Sequence, residues 1–219
     1  MTMRLRDPEL LLANIVLVPV VSGPLNLPTE VFRNILKDAE VQLLQPVQHI
    51  QITSLREQVR VLLGGGRFEF EDRASVDTPR QRVAEVASMF ADVFCSRGVS
   101  SFAAYGFNFD IAFDVPGSLL PSEMVRDRFV RVEELEKRGS ISIAGAGVRL
   151  YFDVGPAKCD LRIEPRSNDR ASARFWSHIT FHFGDLQNGE LPDKATLMSD
   201  FTGKFVQYTD LLERLLPTS

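Results

Sequence analysis

Two histidines four residues apart, His178 and His182, come closest to a chemical signature in this sequence. They lie in the run Trp176-Ser177-His178-Ile179-Thr180-Phe181-His182, which alternates polar and apolar residues. Such alternation is the period of a half-buried strand. It would place Trp176, His178, Thr180 and His182 on one side, with Phe175, Ile179, Phe181 and Phe183 on the other. A second alternating run extends from Tyr105 to Val115. Asn108, Asp110 and Asp114 would share its polar side, opposite Tyr105, Phe107, Phe109, Ile111, Phe113 and Val115. If the two strands are neighbours, an aspartate within reach of a histidine could serve acid–base chemistry. Imidazoles with a carboxylate could instead ligate a metal ion. Residues i and i+4 of a strand are about 13 Å apart, too far to grip one ion together. Ser177 forms no dyad with His178, because adjacent strand residues point to opposite sides. No catalytic set, metal site or cofactor is therefore expected. As a binding face the same residues fare better, because Trp176 is the only tryptophan and tryptophan among polar neighbours is a frequent interface anchor. The candidate binding residues are Trp176, His178, His182, Asn108, Asp110 and Asp114.

Arg166, Arg170 and Arg174 are spaced four apart in a polar stretch, Pro165 to Ser172 and beyond. They are candidates for an anion, an RNA backbone or a phosphorylated partner. Interleaved aromatics are missing, and the chain carries a net charge of −4, so nucleic acid is not the expected partner. Leu63-Gly64-Gly65-Gly66-Arg67 invites comparison with a phosphate loop, but a strand pattern follows the glycines where such a loop needs a helix. A hairpin turn accounts for it. Five of the 25 basic residues are lysine and the rest arginine, spread along the chain. Cys95 and Cys159 lack metal or redox spacing and are expected as small core hydrophobes in a reducing compartment. Leu10 to Val21 is too short to cross a membrane and follows acidic residues unsuited to a signal peptide. A cytoplasmic protein with no membrane association is the expectation.

These candidates need elements to position them. Leu10–Val21 predicts a strand, with Asn14 and Pro19 suited to a sheet edge. Pro28 opens a short helix carrying Val31, Phe32, Ile35 and Leu36. Strands about Ile50 and Ile52, Val59 to Leu63, and Phe68 to Phe70 form a meander. Asp77-Thr78-Pro79-Arg80-Gln81 predicts a helix start, with Thr78 as cap and Gln81 completing a capping box. Its apolar stripe runs from Val83 to Phe94. After the aromatic strand, Val115-Pro116-Gly117-Ser118 marks a boundary. Pro121 to Arg138 predicts one helix, and strands are expected about Ile141 and Ile143, Val148 to Val154, and Cys159 to Ile163. Asp193 to Leu216 predicts the last helix.

The expected fold is α+β: antiparallel sheet in two similar halves, residues 1–117 and 118–219, with long amphipathic helices mainly on one face and one shared core. The expected function is non-enzymatic, an exposed sheet face or edge binding a protein partner or a second copy. A small hydrolase with an Asp/His cleft, and an RNA-binding module using the three arginines, are the alternatives.

Overall fold

The computed structural model describes residues 5–21, 29–44, 49–64, 66–73, 78–114, 120–139, 142–143, 145–167 and 174–216. The fold is α+β, with five α-helices and one antiparallel sheet of nine strands among the described residues. The strands are β1 (Arg6–Val20), β2 (Ala39–Leu44), β3 (His49–Ser54), β4 (Val59–Gly64), β5 (Arg67–Asp72), β6 (Ser101–Asp114), β7 (Val148–Val154), β8 (Ala157–Ser167) and β9 (Arg174–Phe183). The helices are α1 (Thr29–Ile35), α2 (Gln81–Ser96), α3 (Pro121–Phe129), α4 (Val132–Gly139) and α5 (Lys194–Leu215). In the sheet the strands lie in the order β2-β3-β4-β5-β1-β6-β9-β8-β7. The β2–β5 meander returns to β1, and the β7–β9 meander returns to β6, so β1 and β6 join them at the centre.

Alternation decides what each strand buries. Tyr105, Phe107, Phe109, Ile111 and Phe113 of β6 are all buried. Phe109 packs against Phe201, Phe205 and Tyr208 of α5 at ring-centroid distances of 5.2, 5.4 and 6.4 Å. Phe68 and Phe70 of β5 meet Phe94 and Phe90 of α2 at 4.1 and 5.4 Å. The offset and edge-on geometries suit the ring quadrupoles. Asp193 caps α5 by accepting a hydrogen bond from the Thr196 N–H at 2.8 Å, and that bond holds its carboxyl below the usual range. On β6, Gly106 is required by close approach: a Cβ there would stand 2.8 Å from the Phe181 carbonyl oxygen of β9.

Several expectations change. β1 is a central strand, hydrogen-bonded to both β5 and β6. Pro19 falls beyond the β5 pairing and at a register shift with β6, so its missing N–H disrupts neither ladder. Helix α2 starts at Gln81 with no side-chain cap. Arg80 is held instead by Asp72 through Nε–Oδ2 and Nη2–Oδ1 bonds of 2.5 and 2.6 Å, and by the Glu57 and Gln58 carbonyls. That grip sets the approach to the helix and displaces the capping-box start. Pro121 to Arg138 is two helices, broken where Val130 is extended (φ −115°, ψ 131°). Its Leu135 is exposed. Ile143 is not in a strand; its N–H donates to Glu136 and its carbonyl accepts from Arg126. Cys95 is exposed because Phe94 takes the inward position in the last turn of α2, whereas Cys159 is buried. Between β4 and β5 a turn containing Gly66 (φ 75°) closes the hairpin. Asp77, Gly65, Ile141 and the boundary at 115–118 lie outside the described residues.

Truncating Phe109 removes ring contacts from both α5 and β9, so Phe109→Ala should lower unfolding stability by about 4 kcal/mol. Leu55→Ala, at a side chain 81% exposed, should shift it by less than about 0.5 kcal/mol. Chemical denaturation of both variants checks the contrast.

Candidate functional site

The β6–β9 pairing puts Asp110 directly opposite His178, Asn108 opposite Thr180, Ala112 opposite Trp176 and Gly106 opposite His182. Directly opposed residues of an antiparallel pair point the same way. The polar sides of the two strands therefore form one surface, and it continues over β8 and β7: Asp160 faces Thr180 and Tyr151, and Arg162 faces His178 and Arg149. In the other direction Asn14 of β1 faces Asn108.

A hydrogen-bonded chain crosses this surface. His178 Nδ1 bonds the Asp110 carboxylate, and His178 Nε2 lies 3.1 Å from Thr180 Oγ1. Thr180 donates to Asn108 Oδ1 at 2.7 Å, and the Asn108 amide donates to Asn14 Oδ1 at 2.8 Å. Asn14 is buried, while the Asp110 and His178 side chains are each 22% exposed. The chain thus runs from the sheet interior toward solvent. Two directions of donation satisfy it. With Thr180 donating to Asn108, both ring nitrogens of His178 must donate. With both asparagine amides turned over, Asn108 donates to Thr180, Thr180 donates to Nε2, and only Nδ1–H remains for Asp110. The Trp176 ring lies over the His178 ring, centroids 6.0 Å apart and planes 18° apart.

Beside this chain, Arg149 grips Asp160 through Nε–Oδ1 and Nη2–Oδ2 bonds of 2.8 and 2.5 Å. Its guanidinium also covers the Tyr151 ring at 4.8 Å. The hydrogen bond from Arg149 holds the Asp160 carboxyl below the usual aspartate range, and partial burial opposes that shift. Arg162 Nη2 approaches Asp160 at 3.7 Å, and its buried Nε has no hydrogen-bond partner among the described residues.

Of the remaining candidates, Asp114 pairs with Arg174 at 3.0 Å, and Arg174 also bonds Glu9 at 3.1 Å and the Asp7 and Ala112 carbonyls. Arg166, in β8, approaches Glu9 at 3.7 Å. Arg170 lies outside the described residues. His182 is exposed at the far end of β9, opposite Gly106 and Lys158. Among the described residues no cluster of three or more His, Cys, Asp or Glu side chains is arranged to hold a metal ion. Burial pushes the Cys159 thiol up to about 11, and burial followed by Asp92 raises that of Cys95, which leaves both protonated at neutral pH.

Sequence reasoning brought Asp110 and His178 to the same polar side but missed the roles of Thr180, Asn14, Arg149 and Asp160. Their alternation was legible; their partners depended on strand order. No helix among the described residues is long and apolar enough to cross a membrane. The sequence matches no protein-family model, and no curated protein resembles it at a significant level.

Two measurements test this geometry. Thr180→Val keeps the shape but strands His178 Nε2 and Asn108 Oδ1, and should lower stability by about 1–2 kcal/mol in a denaturant titration. Asp160 has a folded pKa below its unfolded value. Its contribution to stability is present above the ordinary aspartate range near ~4 and is lost as pH falls through the folded value. Asp160→Asn should therefore melt below wild type at neutral pH, with the gap closing on acidification.

Proposed function

We propose that this chain is a non-enzymatic binding and assembly protein, and that a protein partner docks on the polar sheet side around Trp176. The carrying observation is the bonded chain from Asn14 to Asp110, which fixes polar side chains in place while leaving its outer end partly exposed beside Trp176. A surface whose side chains are already ordered loses less conformational entropy on binding. Tryptophan beside ordered polar groups is the composition of an interface anchor.

One observation favours a second reading. Aspartate, imidazole and hydroxyl stand in the order Asp110–His178–Thr180, the order used in acyl transfer, so an ester or amide hydrolase with Thr180 as nucleophile is the rival. Two features count against it. The Thr180 hydroxyl is bonded to Asn108 as well as to His178, and the backbone around it lies inside paired strands, where ladder bonds occupy the N–H groups an oxyanion would need. Neither reading calls on a cofactor or a metal. The arginine trio gives no third reading of comparable weight, because Arg166 and Arg174 are engaged by carboxylates.

We also propose that residues 1–117 and 118–219 are similarly built halves around a shared core. Supporting this, β1 is followed by α1, the β2–β5 meander and α2, and β6, which closes the first range, is followed by α3, α4, the β7–β9 meander and α5, each meander returning beside the strand that precedes it. The α2 and α5 ring contacts support a fold with its helices mainly on the aromatic side of the sheet. Two free cysteines suit a reducing, cytoplasmic setting.

Affinity capture with wild type and with Trp176→Ala tests the docking face. The variant should lose the wild-type partner by tenfold or more while keeping its melting temperature. Undiminished capture would sink the docking reading. Ester hydrolysis by wild type that Thr180→Val abolishes would establish the rival.

A further inference from the structure

The strand at one end of the sheet carries a pattern the docking face does not use. β7 reads Val148-Arg149-Leu150-Tyr151-Phe152-Asp153-Val154 and, among the described residues, pairs on one side only, with β8. Every second residue of such a strand directs its N–H and C=O away from its neighbour, so the outer edge is a template for another strand. Proteins that stay monomeric usually protect such edges with proline, a bulge or an inward charge. β7 has none of these. Its register with β8 is unbroken, its charges all lie on the polar side, and Val148, Leu150, Phe152 and Val154 alternate as a half-buried apolar row.

The sequence of β7 complements itself about Tyr151. In an antiparallel pair of two such strands with the two-fold axis at Tyr151, Val148 stands opposite the partner's Val154. Leu150 stands opposite the partner's Phe152, and Arg149 opposite the partner's Asp153. Opposite charges and matched apolar residues directly across an antiparallel pair are the stabilising combinations, and like charges there are destabilising. Any slip by an odd number of residues would lose both matches at once. The side chains are poised for it. Asp153 is exposed and makes no ion pair among the described residues, and Arg149 uses Nε and Nη2 on Asp160, which leaves Nη1 free. Tyr151, at the axis, is 68% exposed. The opposite edge strand, β2, has no such symmetry: Glu40 is its only charged residue.

We propose that β7 is a self-association strand, pairing antiparallel with β7 of a second copy to join two sheets into one of eighteen strands. The pair would form roughly six to eight main-chain hydrogen bonds. On the aromatic side it would bring together the open grooves of about 620 Å³ that each copy has between β7 and α5. This inference extends the binding-and-assembly reading to the sheet edge and leaves the Trp176 face free, so the two can fail separately.

Charge exchange tests it. Wild type should sediment at twice the 24.6 kDa of one chain. Arg149→Asp sets carboxylates opposite carboxylates, and Asp153→Arg sets guanidinium groups opposite each other, so each variant alone should sediment as a monomer. Mixed in equal amounts they should restore the dimer, because every cross-strand pair again has opposite signs. That restoration also shows that neither variant is merely misfolded. A wild type monomeric at about 100 μM, variants that remain dimeric, or a mixture that stays monomeric would each overturn the proposal. The first of these would leave partner capture by the Trp176 face unaffected.

Discussion

The register between β1 and β6 is the constraint on which the remaining structure depends. In the described sheet these strands stand between the two meanders, and they meet along most of their length, from Arg6 opposite Asp114 to Val20 opposite Ser101. Side chains alternate with a period of two, so a slip of one residue would turn Ile15 and Phe107 outward and the polar row inward. Asn14 makes the register specific as well as favourable. It is buried, and the amide that satisfies it comes from Asn108, the residue directly opposite. In another register that side chain would be buried without a partner, at a cost of about 1–3 kcal/mol. Asn108 in turn receives Thr180 and, through it, His178 and Asp110, so the polar surface inherits its geometry from the central pairing.

The two sides of the sheet are stabilised differently. On the aromatic side, rings from β5, β6 and β9 fill the space beneath α2 and α5, and burial of apolar area supplies the favourable free energy. On the other side, side chains pair within the sheet: Arg60 with Glu71, Arg149 with Asp160, His178 with Asp110. Most of these groups are partly exposed, and such ion pairs contribute little to stability individually. Their effect is to fix orientation, because each side chain is held by its cross-strand neighbour. Burial also leaves a trace inside the core: Tyr208 is fully buried, desolvation pushes its phenol well above the ordinary value, and the Ser177 hydroxyl that faces it is turned to the Arg162 carbonyl.

Much of this was legible in the sequence, and what was not has a common cause. Alternation identified β6 and β9 and the side each presents, and a helical stripe identified α2 and α5, because those signals are local. Asn14 and Pro19 were misleading for β1. They suggest an edge when viewed as residue types, yet Asn14 is satisfied by Asn108, 94 positions away, and Pro19 sits past the end of the β5 ladder. Thr78 offered a cap that Arg80 overrode through Asp72, a partner in a different element. The pairing of Asp110 with His178 could be considered from the sequence, but only the adjacency of β6 and β9 brings it about. Phe129-Val130-Arg131-Val132 kept helical spacing while its β-branched residues favoured the extended break at Val130. In each case a long-range contact or a backbone preference outweighed the local pattern.

What the sheet can bind follows from how its two sides are filled. On the aromatic side α2 and α5 pack against the sheet, and rings packed as closely as Phe109 with Phe201 and Phe205 leave no room beside them for a ligand without losing those contacts. In the proposed reading, recognition falls to the polar side, the strand edges and the groove beside α5. On the polar side, Asp110, His178 and Thr180 are bonded to one another and to Asn108, and Trp176 stands beside that ordered set. Those bonds hold the surface rigid, and a rigid amphipathic surface gives up little entropy when a partner covers it.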